Sequence, residues 1–126
     1  MSDIKPKDLV ARAAALARPY SPSPSCTSGS VAAALLTEAG NVYTGICIDT
    51  ECSLGFCAEH AAVAEMLKAR ESHVRMMVAV GSDGAVMPPC GRCRELVWQV
   101  SPSNRSTWVI LGDEAGKQLG ELLPDR

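Results

Sequence analysis

Aromatic side chains are scarce in this sequence, and neither positive nor negative charge is in large excess. Phe, Trp and Tyr make up 4% of the 126 residues, so a buried core must be built mainly from Ala, Val, Leu and Met. The net charge is −2 with no block of like charge, which argues against nucleic acid or an anionic membrane surface as a partner. The length fits one domain, which we place at residues 1–126.

Long apolar runs are also lacking. No stretch approaches the roughly 20 residues that a membrane-spanning helix needs. The first seven residues carry charges where a secretory signal would need an apolar stretch, and we therefore expect a cytoplasmic protein. In a reducing compartment, six cysteines are more typical of metal ligands, reactive thiols or small core residues than of disulfides.

The pattern of apolar residues predicts alternating strands and helices. Helical spacing covers about 5–18, 57–70 and 90–100, and strands are predicted at 31–37, 42–48, 74–81 and 107–112. The first two strands form a hairpin, while 19–30 is predicted as an extended connection and 49–56 as irregular. A strand, a helix and a strand in succession predict a parallel pair with a helical crossover. The sequence therefore favours an α/β sheet covered by helices.

Two short clusters carry residue types that bind metal ions, and each lies where a loop or strand runs into a helix. The first is Cys57-Ala58-Glu59-His60 and the second is Pro89-Cys90-Gly91-Arg92-Cys93. Helix N-termini favour thiolate over thiol, because their free N–H groups stabilise negative charge. Thiolates from Cys57, Cys90 and Cys93 would hold one Zn²⁺ and leave its fourth position for water, which is the pattern of a catalytic site.

Glu59 lies two residues after Cys57, so its side chain points in another direction and is available for proton transfer. Cys-x-Glu followed by Pro-Cys-x-x-Cys is a signature of zinc deaminases, so the predicted reaction follows from that signature and not from spacing alone. Three thiolates leave the site negative. We expect a hydrogen bond to sulfur from His60, Arg92 or Arg94 to offset part of this charge.

A structural zinc site is the alternative from a different class of protein. Cys57 and His60 are three residues apart on one predicted helix, as are Cys90 and Cys93 on another. The four side chains could close a Cys3His site in a binding domain with no turnover. Glu59 favours the catalytic interpretation, because a structural site has no need of a carboxylate there.

The chain resembles the cytidine deaminase family in its short, homotetrameric form, which includes the blasticidin S deaminases. The likeness is carried by Pro19-Tyr20-Ser21, Val31–Leu36, Val42–Gly45, Cys57-Ala58-Glu59, Pro89–Arg94 and Gly120–Pro124. It implies a three-layer α-β-α fold, in which a mixed sheet of about five strands has helices on both faces. It also implies one Zn²⁺ per subunit and hydrolysis of the 4-amino group of a cytosine nucleoside, such as cytidine or deoxycytidine, to a carbonyl with release of ammonia. The implied assembly is a homotetramer, or a homodimer, with active sites completed by neighbouring subunits.

The departures from this family lie in the part that binds substrate. Members that act on cytidine carry Asn-x-Glu after the second strand to bind the ribose, whereas this chain has Cys47-Ile48-Asp49. Asp49 can still accept a hydroxyl proton, but Cys47 cannot replace an amide; with Ala58, these are the residues expected to contact substrate. The family's Phe before the first strand is replaced by Gly29-Ser30. A modified aminopyrimidine nucleoside such as blasticidin S, or another amino-heterocycle, is therefore the alternative substrate.

Overall fold

The computed structural model describes residues 4–126, so the start of the chain at 1–3, part of the charged N-terminal segment, lies outside it. None of the helices within residues 4–126 has the length and apolar character needed to cross a bilayer. In chain order the helices and strands are α1 Pro6–Ala14, β1 Tyr20–Ser23, β2 Cys26–Thr37, β3 Val42–Thr50, α2 Ala58–Lys68, β4 Val74–Gly81, β5 Val86–Met87, α3 Gly91–Val100, β6 Trp108–Gly112 and β7 Ala115–Gln118. Short 3₁₀ helices cover Glu51–Ser53, Pro102–Ser106 and Leu119–Leu122.

The strands form one mixed sheet in the order β1-β2-β4-β6-β7, with β3 also paired to β2 and β5 to β4. The pair of β4 and β6 is parallel and is connected through α3, as predicted; the other pairs are antiparallel. The predicted α/β class is confirmed, but the count of about five strands is wrong. The sheet has seven strands, because β1, β5 and β7 are short additions of two to four residues.

Helices cover both faces of the sheet, which confirms the predicted layers. On one face, α1 buries Leu9 and Ala13 against a cluster that includes Leu36 and Val78. On the other face, α2 and α3 bury a second cluster; its members include Ala33, Leu35, Ala62, Val63, Met66, Met77, Val97 and Val109. These aliphatic side chains are the core that the scarcity of aromatic residues predicts. The face that carries α2 and α3 also carries the predicted metal-binding cysteines.

Several predicted boundaries differ from the observed ones. Helix α1 ends at Ala14 and not near residue 18, and β3 continues to Thr50. Two other differences have clear local reasons. Strand β2 begins at Cys26 and not at Val31, since the Ser- and Gly-containing segment before Val31 pairs with β1 and β3. Helix α2 ends at Lys68 because Arg70 adopts a left-handed conformation, with φ of 66°. The N–H of Glu71 then donates to the carbonyl of Met66 at 3.2 Å, which closes the helix in a Schellman motif.

Candidate active site

Helices α2 and α3 begin side by side, and three cysteines meet at their N-termini. Cys57 is the residue before the first turn of α2, Cys90 is the residue before the first turn of α3, and Cys93 lies within that turn. The Sγ atom of Cys90 is 3.6 Å from that of Cys57 and 3.5 Å from that of Cys93. All three sulfur atoms lie within 4.8 Å of one another.

The three sulfurs fit a zinc ion in both chemistry and spacing. Thiolates are preferred ligands of Zn²⁺, and tetrahedral coordination with Zn–S bonds of about 2.3 Å separates two sulfurs by about 3.8 Å. The observed separations of 3.5 and 3.6 Å are close to that value. His60 does not belong to the set of ligand atoms that all lie within 4.8 Å of one another. Three protein ligands therefore converge, and not four. Zinc is therefore the cofactor of this site, as predicted.

Local hydrogen bonding distinguishes the three thiols. Burial raises the pKa of Cys57 and, more strongly, that of Cys93. The nearby charge of Glu59 also raises the pKa of Cys93. Burial acts in the same direction on Cys90, but hydrogen bonds from the backbone of Cys93 and Arg92 and from the neighbouring thiols outweigh it and lower its pKa. The first turn of α3 thus stabilises a thiolate at Cys90, as expected of a helix N-terminus.

Glu59 lies in the first turn of α2, and its side chain is only 4% exposed. Burial raises the pKa of its carboxyl group, while hydrogen bonds from its own backbone N–H and from the thiol of Cys93 act in the opposite direction. The contact with Cys93 places the carboxyl group beside the sulfur cluster. A carboxyl group with a raised pKa accepts and releases a proton nearer to neutral pH than an exposed glutamate does.

The sulfur cluster and Glu59 open into a cavity of about 470 Å³. That volume suits a small-molecule ligand. The cavity brings together most of the residues predicted for the site: Cys47, Asp49, Ala58, Glu59, Cys57, Cys90 and Arg92 line it. Its remaining walls come from Ser30, Val31, Ile48, Thr50, Ser53, Gly55, Phe56, Ala79, Met87 and Pro88.

Ser30, Cys47 and Asp49 form one polar wall of the cavity. The Ser30 hydroxyl lies 3.4 Å and the Cys47 thiol 3.6 Å from Oδ2 of Asp49. The backbone N–H of Val31 donates to the Cys47 sulfur at 3.3 Å. Cys47 is 5% exposed, so it is a small buried residue, as the sequence predicts. It also lines the cavity.

The three residues considered for hydrogen bonds to sulfur have different surroundings. Nδ1 of His60 lies 3.7 Å from Sγ of Cys93, and its ring is stacked on that of Phe56 with 6.0 Å between centroids. Burial, followed by the charge of Arg92, lowers the pKa of His60, so its imidazole is neutral at pH 7. Arg92 lines the cavity. The guanidinium of Arg94 donates to the carbonyl of Pro89 at 2.8 Å and to that of Leu122 at 3.4 Å.

Ser30 lies in the segment where the family's Phe is replaced, and Thr50 in a loop of a kind that commonly binds substrate, but neither is among the residues predicted to contact substrate. Ser30 reaches Cys47 because β2 has an irregular register between Ser28 and Ala32, where Gly29 has a φ of 81°. The signal in the sequence is Gly29 within a strand, which often marks a bulge. Thr50 lines the cavity, and its Oγ1 is buried without a hydrogen-bond partner among residues 4–126.

Comparisons with known proteins agree with this geometry. The sequence model of the cytidine and deoxycytidylate deaminase zinc-binding region matches residues 5–108. A cytidine deaminase of Mycobacterium tuberculosis (strain ATCC 25618 / H37Rv) is 32% identical over 96 residues, which cover 75% of this chain and 70% of that protein. A cytidine deaminase of Halalkalibacterium halodurans is 30% identical over 97 residues, which cover 75% of this chain and 74% of that protein.

Solved structures show the same fold. The crystal structure of cytidine deaminase from Mycobacterium tuberculosis superimposes with a TM-score of 0.81 and 28% identity, and the match covers 98% of this chain and 97% of that chain. The resemblance drawn from the motifs is thus confirmed. The chain belongs to the cytidine and deoxycytidylate deaminase family and is a zinc-dependent hydrolytic deaminase.

Proposed function

We propose that the chain is one deaminase domain that hydrolyses the 4-amino group of a cytosine nucleoside, cytidine or deoxycytidine, or of a close analogue. The observation that carries this proposal is the buried carboxyl group of Glu59 beside three converging sulfurs, in a cavity that accepts a small ligand. The relatives named above are cytidine deaminases, which supports a cytosine ring as the substrate.

The proposed mechanism divides the work between the metal ligands and one carboxylate. Cys57, Cys90 and Cys93 hold Zn²⁺, which supplies Lewis-acid activation of the attacking water when it is bound. Glu59 takes the proton that the water loses and delivers it to the ring nitrogen beside the amino-bearing carbon. Glu59 then takes the second proton of the water from the new hydroxyl group on that carbon and delivers it to the amine. The carbon–nitrogen bond breaks, and ammonia leaves as the ring carbonyl forms. Ala58, which also lines the cavity, is assigned to contact the substrate.

His60 is the residue best placed to moderate the negative charge of the site. Its Nδ1 lies within reach of the Cys93 sulfur, and the stacked ring of Phe56 limits its rotation. We assign Arg92 to the cavity wall as a cation near the sulfurs. Arg94 acts indirectly, because it ties the carbonyl of Pro89, the residue before Cys90, to the C-terminal segment.

The alternative substrate is a modified aminopyrimidine nucleoside such as blasticidin S, or another amino-heterocycle. The observation that favours it is the wall of Ser30, Cys47 and Asp49, where a thiol stands in place of an amide. The structural Cys3His alternative has less support, since His60 is outside the group of mutually close ligand atoms.

The test of the proposed function is the substitution Glu59→Gln. It keeps the shape of the side chain but removes its ability to carry a proton, so we expect ammonia release to fall by about 10³-fold. Zinc content, measured by atomic emission, stays at one ion per subunit. The matched control is Glu65→Gln, on the exposed side of the same helix, which we expect to keep full activity.

Two outcomes would contradict the catalytic interpretation. One is a Glu59→Gln protein that releases ammonia as fast as the parent protein from cytidine, deoxycytidine and blasticidin S. The other is a His60→Ala protein that loses its zinc while its fold persists, which would favour the structural site.

We further propose that the chain assembles into a homotetramer. Leu54, Phe56 and Met87 are 81%, 37% and 42% exposed, and they lie at or beside the cavity, where a neighbouring subunit could cover them. Native mass spectrometry should find about 53 kDa, four times the chain mass of 13.3 kDa. A mass of one chain at micromolar concentration would contradict the proposal. Six free thiols suit a cytoplasmic location, which cell fractionation can examine.

A further inference from the structure

The first turn of α3 carries two cysteines that differ in exposure. Cys90 is exposed and lines the cavity, whereas Cys93, three residues further on, is buried. Their sulfur atoms are 3.5 Å apart. Gly91 and Arg92 between them are exposed, and a Cβ atom at Gly91 would meet open space. An accessible sulfur thus lies next to a shielded one, on a turn whose outer side is open.

A Cys-x-x-Cys pair at the start of the helix in a strand–helix–strand unit is typical of thiol redox sites. Helix α3 connects β4 to β6, which pair in parallel. One helical turn places Cα atoms three residues apart at roughly 5 Å, and disulfides span about 4.4–6.8 Å between Cα atoms. The bond itself is about 2.05 Å long, so the two sulfurs must approach by about 1.5 Å. Rotation of the exposed Cys90 side chain can supply this approach.

Cys57 is less suited as a disulfide partner, although its sulfur is 3.6 Å from that of Cys90. Cys57 precedes α2, and Cys90 precedes α3, so a bond between them would draw together two separately packed helices. Densely packed interiors resist such a movement. A bond between Cys90 and Cys93 lies within a single turn and leaves the helix packing unchanged.

We propose that Cys90 and Cys93 are a modification site at which oxidation decides whether the chain can hold zinc. In the chain without bound metal, hydrogen peroxide converts the pair to a disulfide. The sulfurs of a disulfide no longer act as thiolate ligands, so two of the three zinc ligands are lost. A dithiol reductant restores both thiols, and with them the metal site. Oxidation thus switches the deaminase off, and reduction switches it on again.

The oxidation consumes one peroxide molecule and two thiols. The sulfur of Cys90 attacks one peroxide oxygen, the O–O bond breaks, a first water leaves and Cys90 becomes a sulfenic acid. The sulfur of Cys93 then attacks the sulfur of Cys90, so that the S–S bond forms, the S–O bond breaks and a second water leaves. The two waters carry away both thiol protons. The pair of sulfurs loses two electrons, and the peroxide gains them.

The experiment treats the full, zinc-loaded chain with hydrogen peroxide, in the presence and in the absence of a zinc chelator. With chelator we expect the mass of the chain to fall by about 2 Da, because two hydrogen atoms leave. Trypsin cleaves after Arg92, so peptides 76–92 and 93–94 separate unless a disulfide joins them. Without chelator the oxidation should be slower by about tenfold or more, since the thiolates are then bound to metal.

Zinc content is the second measurement. After peroxide and chelator are removed, the oxidised chain should bind no zinc until dithiothreitol is added, and it should then bind one ion per chain. Cys57→Ser keeps both members of the pair and should form the disulfide as fast as the chelated parent protein. The matched control is Cys52→Ser, which removes the other exposed cysteine and should behave as the parent protein does.

Several results would overturn the inference. They are an unchanged mass, a gain of oxygen without a disulfide, a disulfide that contains Cys57, equal oxidation rates with and without chelator, and an oxidised chain that still binds zinc. Mass and zinc content do not depend on deamination. Failure of the proposed function is seen separately, as a reduced and zinc-loaded chain that releases no ammonia.

Discussion

At the scale of single residues, Gly45 controls how closely the first turn of α2 approaches the sheet. A Cβ atom at this position would lie 2.5 Å from the backbone nitrogen of Ala62 and 2.7 Å from the carbonyl oxygen of Ala58. These are backbone atoms, which cannot move without shifting the helix. Ala58 stands between Cys57 and Glu59, so the absence of a side chain at Gly45 helps to position the site.

We therefore predict that Gly45→Ala destabilises the fold by roughly 2 kcal/mol, within the range found for overpacked cores. Urea unfolding of the zinc-loaded protein measures the change. Gly112→Ala is the control, because the nearest atom to its added Cβ is 3.9 Å away, an ordinary contact. That variant should stay within about 0.5 kcal/mol of the parent protein. Equal losses in both variants would show that close approach of α2 is not the cause.

The sequence predicted the central residues of the site better than those of its wall. Cys57, Glu59, Cys90 and Cys93 stand at helix starts, and short motifs on such starts can be recognised without knowing the fold. Ser30 could not be selected, because its contact with Cys47 depends on a register irregularity between paired strands. The second partner of Arg94 is the carbonyl of Leu122, 28 residues away, and spacing alone cannot show such a contact.

At the scale of helices and strands, elements with long apolar patterns could be predicted from the sequence, whereas short exposed strands could not. β4 is observed at Val74–Gly81, the predicted range, because apart from the exposed Arg75 it is one buried apolar run. All four residues of β1 are exposed and one of them is Pro22, so the strand lacks both the alternation of buried and exposed residues and the usual strand composition. β5 has two residues, too few for any periodicity. These strands owe their conformation to pairing with neighbours, which is a property of the fold and not of their own residues.

The two helix starts also explain why the ligands come from segments far apart in the chain. Cys57 and Cys90 each precede a first helical turn, 33 residues from one another, and β4 lies between them. Because α2 and α3 pack on the same face of the sheet, their N-termini are brought together by the core and not by a local loop. A bound ion therefore connects two elements that the core already aligns.

At the scale of the whole molecule, zinc should stabilise the fold by an amount that depends on pH. The metal binds thiolates, and burial raises the pKa of Cys57 and Cys93, so these thiols hold their protons at neutral pH in the metal-free protein. Zinc must displace these protons, and its affinity therefore falls as the pH falls. In the metal-free protein the raised pKa values make the stability of the fold change with pH in the opposite direction. They stabilise the fold fully below the pKa of an unfolded cysteine, about 8.5, and this contribution is lost as the pH rises above it.

The difference in thermal stability between zinc-loaded and chelator-treated protein should consequently grow from pH 6 to pH 9. The free zinc concentration is held constant across the pH range. At the pH where it is about 100 times the dissociation constant, the stabilisation is about 2.7 kcal/mol, or on the order of 10 °C in Tm for a chain of this size. Differential scanning calorimetry across this pH range measures it. Cys57→Ser should abolish the difference, whereas Cys26→Ser, at a residue outside the sulfur cluster, should preserve it. Identical Tm values with and without zinc at every pH would mean that the three sulfurs do not act together as a metal site. A Tm difference that shrinks towards pH 9 would mean that proton release does not govern zinc binding.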